Sequence, residues 1–122
     1  MSWRKLVLTA ACTLWVSPSV AEYIAMPGAV IQGLDKITAR VSELSILNGN
    51  ETHFGGLIIK VTGCHNRPPE EPPEAAAFLE IIDDKTKSGT TLFRGWMFAS
   101  SPAISPLEHP VYDIRVLRCI VQ

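Results

Sequence analysis

The fold class is decided by the C-terminal stretch Val111-Tyr-Asp-Ile-Arg-Val-Leu-Arg-Cys-Ile-Val121. In its first half the apolar residues Tyr112, Ile114 and Val116 alternate with charged residues. An alternation with a period of two places the apolar side chains on one side of an extended chain and the charged ones on the other. The stretch therefore predicts a half-buried β-strand at the end of the chain.

Further short apolar segments, separated by turn residues, precede this strand. They are Ala29–Leu34, a segment from Ile37 to Ile46, Phe54–Gly63, Ala75–Ile82 and Thr91–Ala99. Asn48-Gly49 is such a turn signal, since both residues tolerate a positive φ. Gly55-Gly56, near the start of the segment Phe54–Gly63, indicates a kink or a close backbone contact within it. Six short strands predict an all-β domain, a small antiparallel barrel or sandwich.

The segment from Ile37 to Ile46 changes its apolar phase along its length. Ile37, Ala39 and Val41 alternate with polar residues and are expected to face the core. Leu44 and Ile46 then take over the apolar positions, one residue out of phase. Such a shift is typical of a β-bulge or a break in the strand.

Two of the later segments carry more specific expectations. Ala75–Ile82 begins with three alanines after Pro73-Glu74, as helices often do, but it lacks a polar helical face, so we favour a buried strand over a helix. Thr91–Ala99 has apolar bulk on both faces, which predicts a central strand with Trp96, Met97 and Phe98 in the core.

One short helical turn is expected between the last two strands. Ser105-Pro106-Leu107-Glu108 has the pattern of a capping box, with proline at the first helical position. We predict a single turn there and no longer helix.

The N-terminus has the three parts of a secretory signal peptide. Arg4 and Lys5 are basic, residues 6–16 are apolar but too few to span a bilayer, and Ser19-Val20-Ala21 provides small residues at the cleavage site. We predict that residues 1–21 are removed and that residues 22–122 form one mature domain. A lipoprotein modified at Cys12 is the alternative, but it would leave too short an apolar region before that cysteine.

Composition limits the class of partner. Cleavage would remove two of the eleven basic residues and leave twelve acidic ones, so the mature domain carries a net charge of −3. It contains no basic stripe that would indicate a nucleic-acid binder. It also contains no second apolar stretch long enough to cross a membrane. We therefore expect a soluble periplasmic protein with no nucleic-acid partner.

The cysteine count agrees with export. Once Cys12 is removed with the signal peptide, Cys64 and Cys119 remain. An even number of cysteines in a small exported domain indicates a disulfide. Because the closed loop is long, this bond is expected to stabilise the fold by roughly 4 kcal/mol.

A proline-rich loop is the strongest candidate for a partner-binding element. It consists of Arg67, Pro68, Pro69, Glu70, Glu71, Pro72, Pro73 and Glu74. Its composition predicts a stiff polyproline-II-like segment, which loses little entropy on binding. A rigid connection between two strands explains the same residues equally well.

The stretches Arg67-Pro-Pro-Glu-Glu-Pro-Pro-Glu-Ala-Ala-Ala-Phe-Leu-Glu-Ile81, Gly95-Trp-Met-Phe-Ala-Ser-Ser-Pro102 and Leu107-Glu-His-Pro-Val-Tyr-Asp113 carry a family resemblance. Together with the C-terminal cysteine they are similar to the alphaproteobacterial exported family called domain of unknown function 2155. The resemblance covers roughly residues 34–119 and implies an exported protein with a paired cysteine. It implies no catalytic residues. Arg118 departs from the pattern, which has an acidic residue before the cysteine.

Catalysis and metal binding have weaker support. Ser100, Ser101, His109 and Asp113 contain the residue types of a hydrolase triad, but the serines do not lie in a Gly-x-Ser-x-Gly turn. The histidines His53, His65 and His109, together with the cysteines, lack the spacing of a metal site. Glu70, Glu71 and Glu74 are candidate paired carboxylates, yet the flanking prolines favour a solvated loop.

The leading hypothesis is therefore a non-enzymatic envelope module that binds another protein, with no cofactor. An enzyme, hydrolytic or metal-assisted, that uses His109 and nearby serines or carboxylates is the second. A small-ligand carrier that uses a barrel interior is the third. The sequence leaves the oligomeric state open.

Overall fold

The computed structural model describes residues 11–14 and 23–121, and residues 24–119 form two antiparallel β-sheets. The strands are β1 (Ile24–Met26), β2 (Gly28–Asp35), β3 (Arg40–Leu47), β4 (Glu51–Phe54), β5 (Leu57–Asn66), β6 (Ala75–Asp83), β7 (Thr90–Phe98) and β8 (Tyr112–Cys119). The larger sheet has the order β1-β5-β6-β7, with β4 also paired to β5, and the smaller sheet has the order β3-β2-β8. The all-β class is confirmed, and the sheets are not closed into a barrel.

The core lies between the two sheets and is formed by alternate residues of the strands. Those that are almost completely buried are Ile31, Ile46, Leu57, Ile59, Val61, Leu79, Ile81 and Val116. Full burial of one such side chain stabilises the fold by roughly 1.5–3 kcal/mol. Because the strands have a period of two, the intervening residues point away from the core and form the outer faces of the sandwich.

The predicted disulfide is present. Cys64 in β5 is bonded to Cys119 in β8, with a Cα–Cα distance of 5.7 Å and a sequence separation of 55. The two cysteines are buried and belong to different sheets, so the bond crosses the core. It connects the end of β5 to the last strand of the chain.

Glycines form two of the turns. The expected Asn48-Gly49 turn lies between β3 and β4, and Gly49 has a φ of 84°. Gly55, with a φ of 56°, and Gly56 form a two-residue hairpin between β4 and β5. The expected single strand from Phe54 to Gly63 is therefore two strands, because the chain reverses where only a kink was expected.

The expectation that a strand begins at Ile37 with its apolar residues in the core is wrong. The Asp35 carboxylate accepts hydrogen bonds from the backbone N–H groups of Ile37 and Thr38, at 2.9 and 3.2 Å. This local pairing forms a turn, in which Ala39 has a φ of 56°, and β3 begins at Arg40. Ile37 is 76% exposed.

The expected central strand Thr91–Ala99 lies at an edge of the larger sheet. β7 pairs with β6 alone, whereas β6 pairs with both β5 and β7, which confirms the strand interpretation of Ala75–Ile82. Met97 is buried, as predicted, but Trp96 is 42% exposed and Phe98 is half-buried. Apolar side chains on both faces of β7 predict burial of both, whereas one face remains accessible to solvent.

The predicted helical turn at residues 105–108 does not form. The structure shows no helix in residues 11–14 and 23–121. Leu107 lies in the connection from β7 to β8 and is buried in the core, at 5% exposure. A single helical turn restricts several residues and gains only one hydrogen bond, so it is weakly favoured on its own. The burial of Leu107 in the core therefore determines the local conformation.

The predicted signal peptide, residues 1–21, lies outside the described residues except for residues 11–14, where Cys12 is exposed and has a free thiol. In the described part of the chain, no helix has the length and apolar character needed to cross a bilayer.

Candidate interaction surface

Aromatic side chains meet on the outer face of the larger sheet. The strand register places His65, Ala76 and Phe98 in one row across β5, β6 and β7. In the next row Phe78 lies opposite Trp96. Cross-strand partners on the same face are close neighbours, so residues far apart in sequence form one cluster.

Trp96 lies at the centre of this cluster. Its ring centroid is 5.4 Å from that of Phe78, at an interplanar angle of 79°, and 5.6 Å from that of His65, at 55°. The side chain is therefore held on two sides although it is 42% exposed. Tyr23, 43% exposed, completes the set. We call Tyr23, His65, Phe78, Trp96 and Phe98 the aromatic face.

The aromatic face encloses a shallow, mostly apolar cavity. Tyr23, His65, Trp96 and Phe98 form its walls around Ala76, and its volume is about 420 Å³. Because Ala76 at the bottom of the cavity is small, there is room for a partner side chain between the four aromatic rings. Exposed aromatic residues grouped in this way are typical of protein-binding surfaces.

A row of charged residues borders the aromatic face. The register places Glu51, Lys60, Glu80 and Arg94 side by side across β4, β5, β6 and β7. Their charges alternate in sign along the row, so each residue has neighbours of opposite charge. A polar border around an apolar centre is the usual arrangement of a binding surface.

The proline-rich loop is more compact than predicted. Glu71 N–H donates to the Pro68 carbonyl at 3.0 Å, which forms a β-turn with Pro69 at its second position. Arg67 N–H donates to the Glu74 carbonyl at 3.1 Å and joins the two ends of the loop. The turn interrupts the predicted polyproline-II segment, and the two hydrogen bonds make residues 67–74 a hairpin connection between β5 and β6.

Glu74 fastens this loop to the end of β7. Its carboxylate accepts hydrogen bonds from the hydroxyl and the backbone N–H of Ser100, the latter at 3.2 Å, and from Ala75 N–H at 3.1 Å. Partial desolvation tends to raise the pKa of the Glu74 carboxyl, but the bonds from Ser100 and Ala75 and the charge of Arg67 outweigh it, so its pKa lies below its ordinary value. Glu74 is therefore ionised near neutral pH and holds the loop in place.

A groove of about 450 Å³ runs beside the loop and extends to Leu117 and Arg118. Two buried atoms at the groove, Arg67 Nε and Glu71 Oε2, have no hydrogen-bond partner among the described residues. The Arg67 guanidinium also lies 5.9 Å from the centroid of the Tyr23 ring. Through this contact the proline-rich loop adjoins the aromatic face, and the two form one continuous surface.

The side chains of the hydrolase candidates bond to residues outside the set, although Lys36 Nζ, which pairs with Asp113, also donates to the His109 carbonyl at 2.9 Å. His109 Nδ1 accepts backbone hydrogen bonds from Val111 and Tyr112, at 3.0 and 3.2 Å. Asp113 forms an ion pair with Lys36 at 3.2 Å, and Ser100 is bonded to Glu74. The structure thus does not bring these residues together as a triad.

The metal-ligand candidates are also dispersed. His53 lies 3.5 Å from Asp84, whereas His65 stacks on Trp96 and both Cys64 and Cys119 are in the disulfide. Within residues 11–14 and 23–121, no three potential metal-ligating side chains cluster. Arg118, the departure from the family pattern, pairs with Glu43 at 3.6 Å.

Sequence reasoning missed Tyr23 and His65 as parts of a surface, and it assigned Trp96 to the core. A signal was present for His65, because it directly follows Cys64 and adjacent strand residues face opposite sides. With Cys64 in the core disulfide, His65 has to point outward. For Tyr23 no signal exists in the sequence, since only the pairing of β1 with β5 brings it near.

These features define a disulfide-linked β-sandwich with an exposed aromatic face. The chain belongs to the family described as "Uncharacterized protein conserved in bacteria (DUF2155)", whose model matches residues 29–119, which confirms the resemblance found in the sequence. It is 33% identical over 100 residues to "Uncharacterized protein RP359" of Rickettsia prowazekii (strain Madrid E), which covers 81% of this chain and 64% of that protein. The chain thus corresponds to less than two thirds of that relative's length. No solved structure matches it.

Proposed function

We propose that this protein is a non-enzymatic module of the bacterial envelope that binds another protein after export and removal of residues 1–21. The observation that carries the proposal is the aromatic face. In it Trp96, on β7, is 42% exposed, and Tyr23, directly before β1, is 43% exposed. Such exposure is unfavourable in isolation, because each ring leaves apolar area in contact with water. A partner that covers this face removes the cost.

The geometry of Trp96 suits a binding hot spot. Tryptophan and tyrosine are enriched among the residues that contribute most to binding, particularly at the centre of an interface. Because Phe78 and His65 already hold the Trp96 ring, its association with a partner costs little side-chain entropy. The charged row at Lys60, Glu80 and Arg94 supplies the polar border.

The proline-rich loop extends this surface. Pro69, Glu70, Pro72 and Pro73 are exposed, and the loop is fastened at Glu74. A fastened loop loses less entropy on binding than a mobile one. We therefore retain residues 67–74 as the second part of the binding surface, beside the aromatic face.

The filled interior of the domain favours a binding surface on its outside. The space between the sheets is filled by large apolar side chains, among them Ile31, Ile59, Leu79 and Ile81. The carrier hypothesis needed an open barrel interior, and the two sheets do not close into a barrel. A partner would contact the outer face of the larger sheet.

Affinity capture with matched variants tests the proposal. Mature wild-type protein, Trp96→Ser and Ile58→Ser would be immobilised and exposed to envelope extract, with quantitative mass spectrometry of the bound proteins. Ile58 is the control, because it is an apolar residue on the same outer face but at the opposite end of the sheet. We expect one protein to be enriched by the wild type and Ile58→Ser and lost with Trp96→Ser. Equal recovery by all three would overturn the proposal.

A further inference from the structure

The free edge of β7 carries backbone groups that lack a strand partner. Ala99 N–H donates to the Ala75 carbonyl at 2.9 Å, so Ala99 faces β6. Residues of an antiparallel strand alternate between facing a neighbour and facing away from it. Arg94, Trp96 and Phe98 therefore direct their backbone N–H and C=O groups away from β6, and no described strand lies on that side. Of these groups, the Phe98 carbonyl already accepts one hydrogen bond, from Ser101 N–H at 3.3 Å, and a carbonyl oxygen can accept a second.

This edge differs from the opposite edge of the same sheet. That edge is shared by β1, which has three residues and is followed by Pro27, and β4, which has four residues, and strands this short limit further pairing. β7 has nine residues and no proline, and Trp96 and Phe98 of the aromatic face lie along it. A long edge with apolar side chains is a template for another strand.

We propose that two copies of this chain associate through antiparallel pairing of their β7 strands, about a two-fold axis at Trp96. The edge is self-complementary in this register. Trp96 lies opposite Trp96 of the second copy, which forms an aromatic pair on the axis. Arg94 lies opposite the second copy's Phe98, on both sides of the axis, which favours cation–π contacts and avoids a like-charge pair.

The two residues on either side of Gly95, Arg94 and Trp96, are exposed in the single chain, and Gly95 between them adds no side chain. The pairing joins two five-stranded sheets into one continuous sheet. It also brings the two aromatic faces onto the same side. This association goes beyond the proposed function and does not depend on it.

Sedimentation of the exported, disulfide-bonded protein from micromolar to millimolar concentration tests the association. We expect a reversible monomer–dimer equilibrium. Arg94→Pro removes an N–H that faces away from β6, so the ladder to β6 is kept while pairing to a second copy is blocked. This variant should remain monomeric, whereas Arg94→Ala should dimerise with an affinity reduced about tenfold.

Circular dichroism and the thermal midpoint establish that each variant is folded. If Arg94→Pro does not fold, cysteine cross-linking provides the test. Trp96→Cys should form an intermolecular disulfide on mild oxidation, because directly opposed residues in such a pair have Cα atoms about 5.5 Å apart. Thr91→Cys, on the same strand but far from the axis, should not.

Three outcomes would overturn the proposal. The first is a wild-type protein that stays monomeric at every concentration. This outcome overturns the proposal even if Arg94→Pro then blocks pairing of β7 with a strand of a different protein. The second is an Arg94→Pro variant that is folded and dimerises as strongly as the wild type. The third is cross-linking of Thr91→Cys as efficiently as of Trp96→Cys.

Discussion

The two faces of β6 differ sharply although their residues alternate along one strand. Ala77, Leu79 and Ile81 point into the sandwich and are completely buried, whereas Phe78 and Glu80 lie half-buried on the outer face. The inner residues contribute apolar burial, and the outer ones belong to the aromatic face and its charged border. Under the proposed function, stability and recognition are assigned to opposite faces of the same sheet, so a substitution should affect one without the other.

The largest effect on stability is expected from the cross-sheet disulfide. Replacement of Cys64 and Cys119 by alanine removes a constraint on a long loop, which should lower the free energy of unfolding by roughly 4 kcal/mol. Denaturant unfolding of the variant and of the oxidised wild type measures the loss. A difference below about 1 kcal/mol would show that the unfolded chain is little restricted by the bond.

A loss of similar size is expected on the inner face of β6. Leu79→Ala creates a cavity in a fully buried position and should cost roughly 2–5 kcal/mol of the free energy of unfolding. Glu80→Ala, the next residue and on the outer face, should change it by no more than about 0.5 kcal/mol. Equal losses in the two variants, measured by urea denaturation, would contradict the division between the faces.

The outer face should show the reverse pattern. Trp96→Ser removes a hot-spot side chain and should weaken partner binding by about 2 kcal/mol, roughly thirtyfold, with a change in unfolding free energy below about 1 kcal/mol. Titration calorimetry with the captured partner and thermal unfolding of the variant measure the two quantities. A variant that unfolds more easily but binds normally would place Trp96 among the structural residues.

The smallest effect is expected at the proline-rich loop. Because the pKa of Glu74 is lowered in the folded protein, its ionised form contributes stability at pH values above the ordinary glutamate pKa of about 4.3, and this contribution is lost as the pH falls through the lower, folded-state pKa. Glu74→Gln should lower stability slightly at neutral pH and remove this part of the acid dependence. The free energy of unfolding of both proteins, measured from pH 7 to pH 2, tests this. The same pH dependence in the two proteins would contradict it.

Local patterns predicted much of the fold. The alternation in residues 111–121 and the Asn48-Gly49 turn depend on side-chain period and on φ preferences, which are properties of neighbouring residues. Cys64 and Cys119 were paired correctly because composition left no other pair in the predicted mature domain. These predictions of a strand, a turn and a disulfide require no knowledge of the strand order.

The errors arose where tertiary contacts decide the conformation. Leu107 is drawn into the core, so the capping-box pattern before it does not produce a helix. Trp96 was assigned to the core because an apolar residue on a strand has the same sequence pattern whether its face is covered or open. The aromatic face depends on the register of β5, β6 and β7, which the sequence does not specify, so the candidate site was predicted only in part, at residues 67–74.

The most direct test of the aromatic face is site-specific photo-cross-linking in living cells. A benzophenone amino acid would be placed at Trp96 or, as the control, at Ile58 on the same outer face, and adducts would be identified by mass spectrometry. The account predicts an adduct with a different envelope protein from position 96 and none from position 58. An adduct of equal yield from both positions, or no such adduct from position 96 in a folded protein, would contradict the claim that the aromatic face is a partner-binding surface.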